Sequence, residues 1–132
     1  MNTTLPKVVT PDLITHLSAC EVFVFGSNLA GHHHGGAARM AHECFGAEWG
    51  VGVGPTGQCY AIPTMQGGID TIRPYVDEFI EYAKQHPELL FRVTRIGCGI
   101  AGFTNEEIAP LFKAAVAMEN VSLPNGWREI NE

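Results

Sequence analysis

The sequence predicts a three-layer α/β/α sandwich formed by one domain that spans all 132 residues. Short apolar segments alternate with segments that carry a helical apolar stripe, and parallel strands need such crossover helices between them. The apolar segment 20–25 is continuous except for Glu21, which is typical of a strand in a sheet covered on both faces. Glycine-rich loops follow two of the strands directly, at the position where α/β proteins bind ligands.

The first elements are a short helix, a strand and a longer helix. The sequence Thr-Pro-Asp at 10–12 fits an N-cap, a proline at the first helical position and a first-turn acid, and predicts a helix that runs through Leu17. After the strand, apolar residues recur with helical spacing over 37–45. Gly46 then stands where a helix usually ends in a left-handed residue.

The middle of the chain contains the clearest helix. Residues 50–57 are rich in glycine and predict a loop or a loose sheet edge, and 59–62 is a strand stopped by Pro63. Apolar residues over 72–83 recur at helical spacing, and the β-branched run 91–96 predicts the next strand.

The C-terminal part begins with a capping box at 104–107. Pro110 would remove a hydrogen bond from a helix that starts at Asn105. We therefore expect an irregular first turn and a regular helix from Ala109 or Pro110 onward. A short strand at 121–123 is the last predicted element.

Composition excludes several classes of protein. With 45% hydrophobic and 17% charged residues, the chain has the composition of a folded domain. A net charge of −6 with eight Lys and Arg leaves no basic face for non-specific nucleic-acid binding. No apolar run approaches the roughly 18 residues of a membrane span. The N-terminus lacks the apolar core of a signal peptide, so we expect a cytoplasmic protein that does not bind membranes.

The four cysteines are widely spaced and form no C-x-x-C pair, which predicts reduced thiols, three of them buried. Cys98 lies between two glycines just before a helix, a setting that can lower a thiol pKa. It is either a nucleophile, served by a base from the histidine loop, or a small non-catalytic residue of a phosphate-binding loop. We favour the second interpretation.

The loop 97–102 is the most informative part of the chain. A β-branched strand runs straight into Gly97, Gly99 and Gly102, and a helix start follows at once. Glycines let backbone N–H groups turn toward one point, and a helix N-terminus adds partial positive charge. This pattern predicts an anion site, most often for phosphate. The alternative is a tight turn of small residues. Neither the dinucleotide fingerprint nor the phosphate-loop lysine motif is present, so binding must depend on backbone groups.

A second loop of this kind follows the strand that ends in Gly26-Ser27-Asn28, and Gly35-Gly36 opens the next helix. Two such loops at strand ends suggest one shared cleft for a nucleotide with more than one phosphate. Asn28 either contacts a ribose or base, or is an Asn tolerated in a left-handed turn. The residues alone leave both interpretations open.

Polar side chains near these loops have less specific patterns. Adjacent histidines point in different directions, so His32-His33-His34 does not predict a metal site but a mobile loop over the cleft, with one His touching phosphate or ribose. Thr64 ends a strand and faces the cleft. Arg92 and Arg95 lie on opposite sides of the predicted strand, and one of them is expected to pair with an acid.

Taken in order, these motifs resemble those of macrodomain-like proteins, in particular a small branch from bacteria and phages. The resemblance covers residues 20–116. In macrodomains, one strand ends in an Asn-containing loop before a glycine-rich helix start. A later strand ends in a Gly-x-Gly-x-x-Gly-aromatic loop that wraps the diphosphate of ADP-ribose. Residues 97–103 match that later loop, Asn28 matches the Asn of the first loop, and Gly35-Gly36 match the glycines that follow it.

The resemblance implies a macrodomain-like fold with a reduced mixed sheet that binds ADP-ribose or a related nucleotide diphosphate. The partner is then the free nucleotide or an ADP-ribosylated macromolecule, and we expect no cofactor and no metal. It also implies that Phe103 packs on the distal ribose, and that an acid, with Asp12 and Glu21 as candidates, contacts adenine. The predicted ligand-binding residues are Gly26, Ser27, Asn28, Gly35, Gly36, Thr64, Gly97, Cys98, Gly99, Ile100, Ala101, Gly102 and Phe103.

Three activities are compatible with this interpretation. As an enzyme, the protein would hydrolyse an ADP-ribosyl linkage or a terminal phosphate with a water held by the bound diphosphate. Asn28 would orient the ribose, and His32 or His34 would assist. The protein could instead read a nucleotide or an ADP-ribosylated partner without catalysis. The third alternative is a cysteine hydrolase that uses Cys98.

Overall fold

The computed structural model describes residues 9–132, which form a mixed α/β protein with a five-stranded mixed sheet and four α-helices. No helix in this range is both long and apolar enough to cross a membrane. In chain order the elements are β1 (Glu21–Ser27), α1 (Gly36–Cys44), β2 (Gly54–Thr56), β3 (Cys59–Pro63), α2 (Ile69–Lys84), β4 (Leu90–Val93), α3 (Asn105–Ile108), a 3₁₀ helix (Ala109–Ala115), β5 (Val121–Ser122) and α4 (Trp127–Ile130).

The strand order is β2-β3-β1-β4-β5. The central strand β1 is parallel to both neighbours, β3 and β4, and β5 is parallel to β4. The edge strand β2 is antiparallel to β3. Because β1, β3 and β4 run in the same direction, the loops that follow them emerge at the same edge of the sheet. These three loops form the site described below.

The side chains of β1 alternate between two apolar clusters. Phe23 and Phe25 pack with residues of α1, whereas Val22 and Val24 pack with residues of α2, the 3₁₀ helix and α4. Successive strand residues point to opposite faces, so both faces of β1 are covered. Full burial of a side chain such as Phe25 contributes about 1.5–3 kcal/mol. This two-sided burial explains why the β1 sequence is apolar without alternation.

Most of the predicted elements are confirmed. The predicted strands 20–25, 59–62 and 121–123 correspond to β1, β3 and β5, and the predicted helices 37–45 and 72–83 correspond to α1 and α2. Gly46 is left-handed, with φ of 82°. The capping box is also present: the Thr104 hydroxyl accepts from the Glu107 N–H at 3.2 Å, and the Glu107 carboxylate accepts from the Thr104 N–H at 2.9 Å. The glycine-rich stretch 50–57 contributes the short edge strand β2.

The helix predicted from 10 to 17 is wrong. Thr10 instead forms a parallel bridge with Pro124, and its N–H donates to the Leu123 carbonyl at 2.9 Å. Its hydroxyl lies 2.9 Å from the Ser122 carbonyl oxygen, to which it donates. The side chain expected to cap a helix is therefore used by the sheet, and the segment from 11 to 18 has no regular structure.

Two boundaries also differ from the prediction. The strand expected over 91–96 ends at Val93, because the chain turns there and the Ile96 N–H donates to the Thr94 carbonyl at 2.7 Å. The regular helix expected from Ala109 or Pro110 is a 3₁₀ helix. Proline has no N–H to donate and its ring crowds the carbonyl four residues earlier, so the chain cannot continue α3 as a regular α-helix through Pro110.

All four cysteines are free thiols, as predicted, but the expectation that three are buried is wrong. Cys59 is buried, Cys98 is partly buried, and Cys20 and Cys44 are exposed. Burial raises the pKa of the Cys59 thiol to about 12.

Candidate functional site

The two predicted glycine loops lie side by side. The strand β4 ends opposite Val24, and the Thr94 N–H donates to the Val24 carbonyl at 3.1 Å. Because β1 continues for three residues beyond that point, the chain after β4 folds over the end of β1. A Cβ atom on Gly26 would lie only 3.2 Å from the backbone nitrogen of Gly97, so glycine permits this close approach.

A cavity of about 240 Å³ lies between these loops, and we call it the first lobe. No Asp or Glu in the described part of the chain lines it, although the net charge of the protein is −6. Its titratable side chains are His32, His34 and Arg95. The residues that line it are Gly26, Ser27, Asn28, His32, His34, Gly35, Gly36, Ala37, Ala38, Thr64, Met65, Thr94, Arg95, Ile96, Gly97, Gly99, Ile100 and Ala101.

The N-terminus of α1 faces the first lobe without a cap. Gly35 is the N-cap residue, no side chain caps the helix, and its first turn contains no acid. The amides of Gly36, Ala37 and Ala38 find no acceptor among residues 9–132. The first amides of a helix need partners, and they carry partial positive charge. The first lobe therefore offers three backbone donors in a setting that favours an anion.

The loop 97–102 adds a second set of backbone donors. It is folded by two internal bonds: the Gly102 N–H donates to the Gly99 carbonyl at 3.0 Å, and the Phe103 N–H donates to the Gly97 carbonyl at 2.8 Å. Within the described range, the amides of Gly97, Gly99, Ile100 and Ala101 have no acceptor. These amides belong to residues that line the first lobe.

The sequence predicted that the helix start after this loop would add positive charge to the anion site, but α3 does not contribute donors to the first lobe. The capping box of α3 satisfies the amides of Thr104 and Glu107, and the other two residues of its first turn, Asn105 and Glu106, line neither lobe. Helix charge at the site therefore comes from α1 and not from α3.

Asn28 lines the first lobe but is partly used by its own loop. Its Nδ2 donates to the His32 carbonyl at 3.0 Å, and its Oδ1 accepts from the His32 N–H at 3.0 Å. The left-handed alternative is wrong, because no residue other than glycine has a positive φ in the described chain. An amide side chain has two N–H groups and two lone pairs. Asn28 thus keeps one donor and one acceptor site for a ligand.

The histidine loop is packed and does not form a free flap. His32 stacks on Trp49 with ring centroids 5.4 Å apart, and His34 meets the Trp49 ring edge-on at 4.9 Å. His33 is buried, with Nε2 3.0 Å from the Glu48 carbonyl oxygen, and its Nδ1 has no hydrogen-bond partner among the residues that the structure describes. Within residues 9–132, no three metal-binding side chains are grouped so that they could hold an ion. His32 and His34 remain the two imidazoles that line the first lobe.

Three hydroxyl side chains line the first lobe: those of Ser27, Thr64 and Thr94. The Thr94 hydroxyl donates to the Val24 carbonyl at 2.7 Å. The Ser27 hydroxyl donates to the Gly52 carbonyl at 2.5 Å and thereby holds the loop before β2 against β1. The Thr64 hydroxyl lies 3.5 Å from the Ser27 carbonyl oxygen, a weak contact. Ser27 and Thr94 therefore serve the fold, and Thr64 is the hydroxyl of the three that is least engaged and best able to bind a ligand.

Three of the predicted ligand-binding residues lie outside the first lobe: Cys98, Gly102 and Phe103. Phe103 packs against the apolar cluster beneath the loop, and a Cβ atom on Gly97 would lie 3.4 Å from its ring. Phe103 lines neither lobe, and its contact with a distal ribose, which the resemblance implies, stays a prediction. Here the ring supports the loop from the side of the core.

A second cavity of about 530 Å³, the second lobe, adjoins the first. Its walls are mostly apolar and include Leu13, Ile14, Phe23 and Met40. The two lobes share the residues Gly36, Ala37, Thr94, Arg95 and Gly99. A polar first lobe and a larger apolar second lobe are therefore adjacent, and together we call them the cleft.

The two acidic candidates for base contact are separated by the fold. Asp12 lines the second lobe, and its carboxylate pairs with Arg95 at 3.0 Å. Glu21 pairs with Arg92 at 3.2 Å, and both of these side chains are only 16% exposed. Glu21 lines neither lobe. Both arginines therefore pair with acids, and only Asp12 lies at the cleft.

The environment of Cys98 disfavours a thiolate nucleophile. Burial raises the pKa of its thiol; Arg95 acts in the opposite direction, and Glu106 and Glu107 raise the pKa further. The sulfur lies 3.8 Å from the Asn105 side-chain oxygen. Cys98 lines the second lobe, whereas the histidines that could serve as a base line the first.

Sequence reasoning included Gly35 and Gly36 in the site, but it missed Ala37 and Ala38 of the first turn of α1 and the position of Arg95. The absence of Ser, Thr, Asp or Asn before Gly36 was a signal, because a helix start without a capping side chain leaves its first amides available to water or a ligand. Arg95 was placed on a strand, whereas it lies in the loop beyond β4 and lines both lobes.

Comparisons with protein-family models, with curated proteins and with solved structures found no match to this chain. Its function must therefore be inferred from the geometry of the cleft and from the sequence motifs.

Proposed function

We propose that this protein binds ADP-ribose or a related nucleotide diphosphate in the two-lobed cleft. One observation carries the proposal: backbone amides without acceptors, from the start of α1 and from the loop 97–102, line one cavity that no described carboxylate lines. Hydrogen bonds to a charged group contribute about 1.5–3 kcal/mol each. Such a cavity can hold a diphosphate without a lysine.

The dimensions of the cleft favour a nucleotide over free phosphate. The first lobe alone, about 240 Å³, is smaller than the roughly 300–1,000 Å³ of a small-molecule site. Joined to the second lobe at Thr94 and Arg95, it falls within that range. The diphosphate then lies over the first lobe, and the base lies against the apolar wall of the second lobe, near Asp12.

In this proposal the fold is a macrodomain-like three-layer α/β/α sandwich with a reduced sheet. The two apolar clusters support it, since α1 packs with Phe23 and Phe25 of β1 while α2 packs with Val22 and Val24. The packing of helix residues with both sets of side chains is what a sheet between two helical layers requires.

Hydrolysis of an ADP-ribosyl or phosphate ester linkage is the catalytic form of the proposal. Asn28 would orient the ribose with its free donor and acceptor, and His32 or His34 would assist the water. Among described residues the first lobe offers imidazoles and no carboxylate, so a histidine is the base available there. A reader module that binds an ADP-ribosylated partner uses the same contacts without turnover. Turnover of an ADP-ribosylated protein by the wild type, lost when both histidines are replaced by Asn, would identify the enzyme.

Calorimetric titration of the wild-type protein with ADP-ribose tests the binding proposal. We expect saturable binding of one ligand per chain, and weaker binding of adenosine because it lacks the diphosphate. ADP and UDP-glucose, titrated in parallel, report the base preference. No binding of any adenine or uridine diphosphate would overturn the proposal.

A further inference from the structure

Arg95 lies at the junction of the two lobes. It lines both, and no other Lys or Arg in the described chain lines either. The sequence motifs did not place Arg95 among the predicted ligand-binding residues. Its position in the cleft follows from the early end of β4, after which the chain turns over the end of β1.

Two neutral acceptors hold the guanidinium in place. Nη1 donates to the Asn105 side-chain oxygen at 2.7 Å, and Nη2 donates to the Asn125 carbonyl at 3.0 Å. The Asn105 oxygen is itself fixed by the indole N–H of Trp127 at 2.7 Å, and Trp127 is fully buried. Neutral acceptors orient a cation without cancelling its charge, so this arrangement preorganises Arg95 for an anion.

The counter-charge of Arg95 is weakly held. Nε donates to the Asp12 carboxylate at 3.0 Å, but the Asp12 side chain is 75% exposed and that of Arg95 is 31% exposed. Exposed ion pairs contribute little to stability and are screened by salt. A guanidinium has five N–H donors. Among residues 9–132 three of them have acceptors, and the other two can form charge-assisted hydrogen bonds with a phosphate.

We propose that Arg95 is a specificity-determining residue that binds a phosphate of the nucleotide where the two lobes meet. This inference rests on the proposed function and deepens it. Arg95 then selects ligands that carry negative charge between the base and the distal group. It disfavours nucleosides, which place no charge there.

The test compares Arg95→Gln with Arg92→Gln. Both arginines pair with a carboxylate, but Arg92 lines neither lobe and serves as the matched control. For Arg95→Gln we expect the Kd for ADP-ribose and for ADP to rise about 10-fold or more, because charge-assisted hydrogen bonds are lost. We also expect a shallower dependence of Kd on salt and unchanged binding of adenosine. Arg92→Gln keeps the wild-type affinity.

Arg95→Lys is the second variant, because Arg95→Gln also loses the bonds to Asn105 and Asn125. Lysine keeps the charge without the planar fork, so its Kd for ADP should lie between those of the wild type and Arg95→Gln. Thermal melting verifies that each variant is folded.

Three results would overturn the inference. If Arg95→Gln and Arg95→Lys bind ADP-ribose as tightly as Arg92→Gln, Arg95 does not contact the phosphate and the proposed function survives. If they lose affinity for adenosine and ADP equally, with an unchanged salt dependence, the role of Arg95 is only structural. If the wild type binds no nucleotide diphosphate, the proposed function fails together with the inference.

Discussion

Gly99→Val directly tests whether the loop 97–102 holds the ligand. Gly99 lines both lobes, and a Cβ atom built on it meets no heavy atom within 4 Å. Its φ does not lie in the left-handed region. A valine there fits the unliganded fold and places an isopropyl group in the space that the proposal gives to the diphosphate.

The expected loss follows from the amides next to the new side chain. The N–H groups of Gly99, Ile100 and Ala101 have no acceptor within the described residues. Each hydrogen bond to a charged group contributes roughly 1.5–3 kcal/mol. If valine keeps a phosphate away from two of these amides, the free energy of ligand binding becomes less favourable by about 3–6 kcal/mol. That corresponds to a rise of about 10²- to 10⁴-fold in Kd. Folding stability should change by less than about 1 kcal/mol, since the position is open.

Calorimetry with ADP-ribose on the wild type, Gly99→Val and Gly68→Val measures the effect. Gly68 is the matched control: a Cβ atom there also meets nothing within 4 Å, its φ is −86°, and it lines neither lobe. Gly68→Val should bind like the wild type. If Gly99→Val binds within about threefold of the wild type while folded, the diphosphate does not lie on this loop.

Three further outcomes follow from the structure. Gly97→Ala should destabilise the fold by about 1–3 kcal/mol, because φ at this position is 74° and the new Cβ would lie 3.0 Å from Ile108 Cδ1. Urea unfolding measures the loss, and an unchanged midpoint would contradict the prediction. Cys98→Ala should bind ADP-ribose like the wild type, and any turnover should persist; a loss of about 100-fold or more in turnover would instead support a cysteine nucleophile. Burial raises the pKa of Cys59 and of Tyr60 to about 12, so the folded state keeps protons that the unfolded chain releases above ordinary values of 9.0 and 10.0. The free energy of unfolding should therefore fall as pH rises from about 9 toward 12. In Cys59→Ala the urea unfolding midpoint should depend less on pH than it does in the wild type. An equal pH dependence in the two proteins would refute this.

The elements that the sequence predicted well are those whose signals are local. The strand β1 is a continuous apolar run, α2 carries a long apolar stripe, and the capping box at 104–107 contains both of its partners within four residues. In each case the residues that stabilise the element are near one another in the chain or share its periodicity, so the pattern alone identifies it.

The failures occur where a distant partner competes with a local signal. Thr10 has the sequence context of a helix cap, but its hydroxyl bonds to Ser122, which is 112 residues away in the chain. The run 91–96 has strand composition throughout, but pairing with β1 ends at Val93. Neither the bridge to Pro124 nor the register of β4 can be read from neighbouring residues.

The candidate site was predictable in part. Glycine loops after two parallel strands predicted a shared cleft, and Gly26 does approach Gly97. The second lobe and the place of Arg95 between the lobes were not predictable. They depend on where β4 stops and on how the segment around Asp12 lies beside it.

By itself, the sequence determined the approximate positions of β1, β3 and β5, the glycine content of the loops after β1 and β4, and the negative charge of the chain. These properties depend on residue type and on neighbours in the chain. The tertiary structure decided which amides line the cleft. Those at the start of α1 line the first lobe, while the first turn of α3 lines neither lobe. Only the fold brings the free amides, Arg95 and the apolar wall to one cleft, because register and strand direction set distances between residues far apart in sequence.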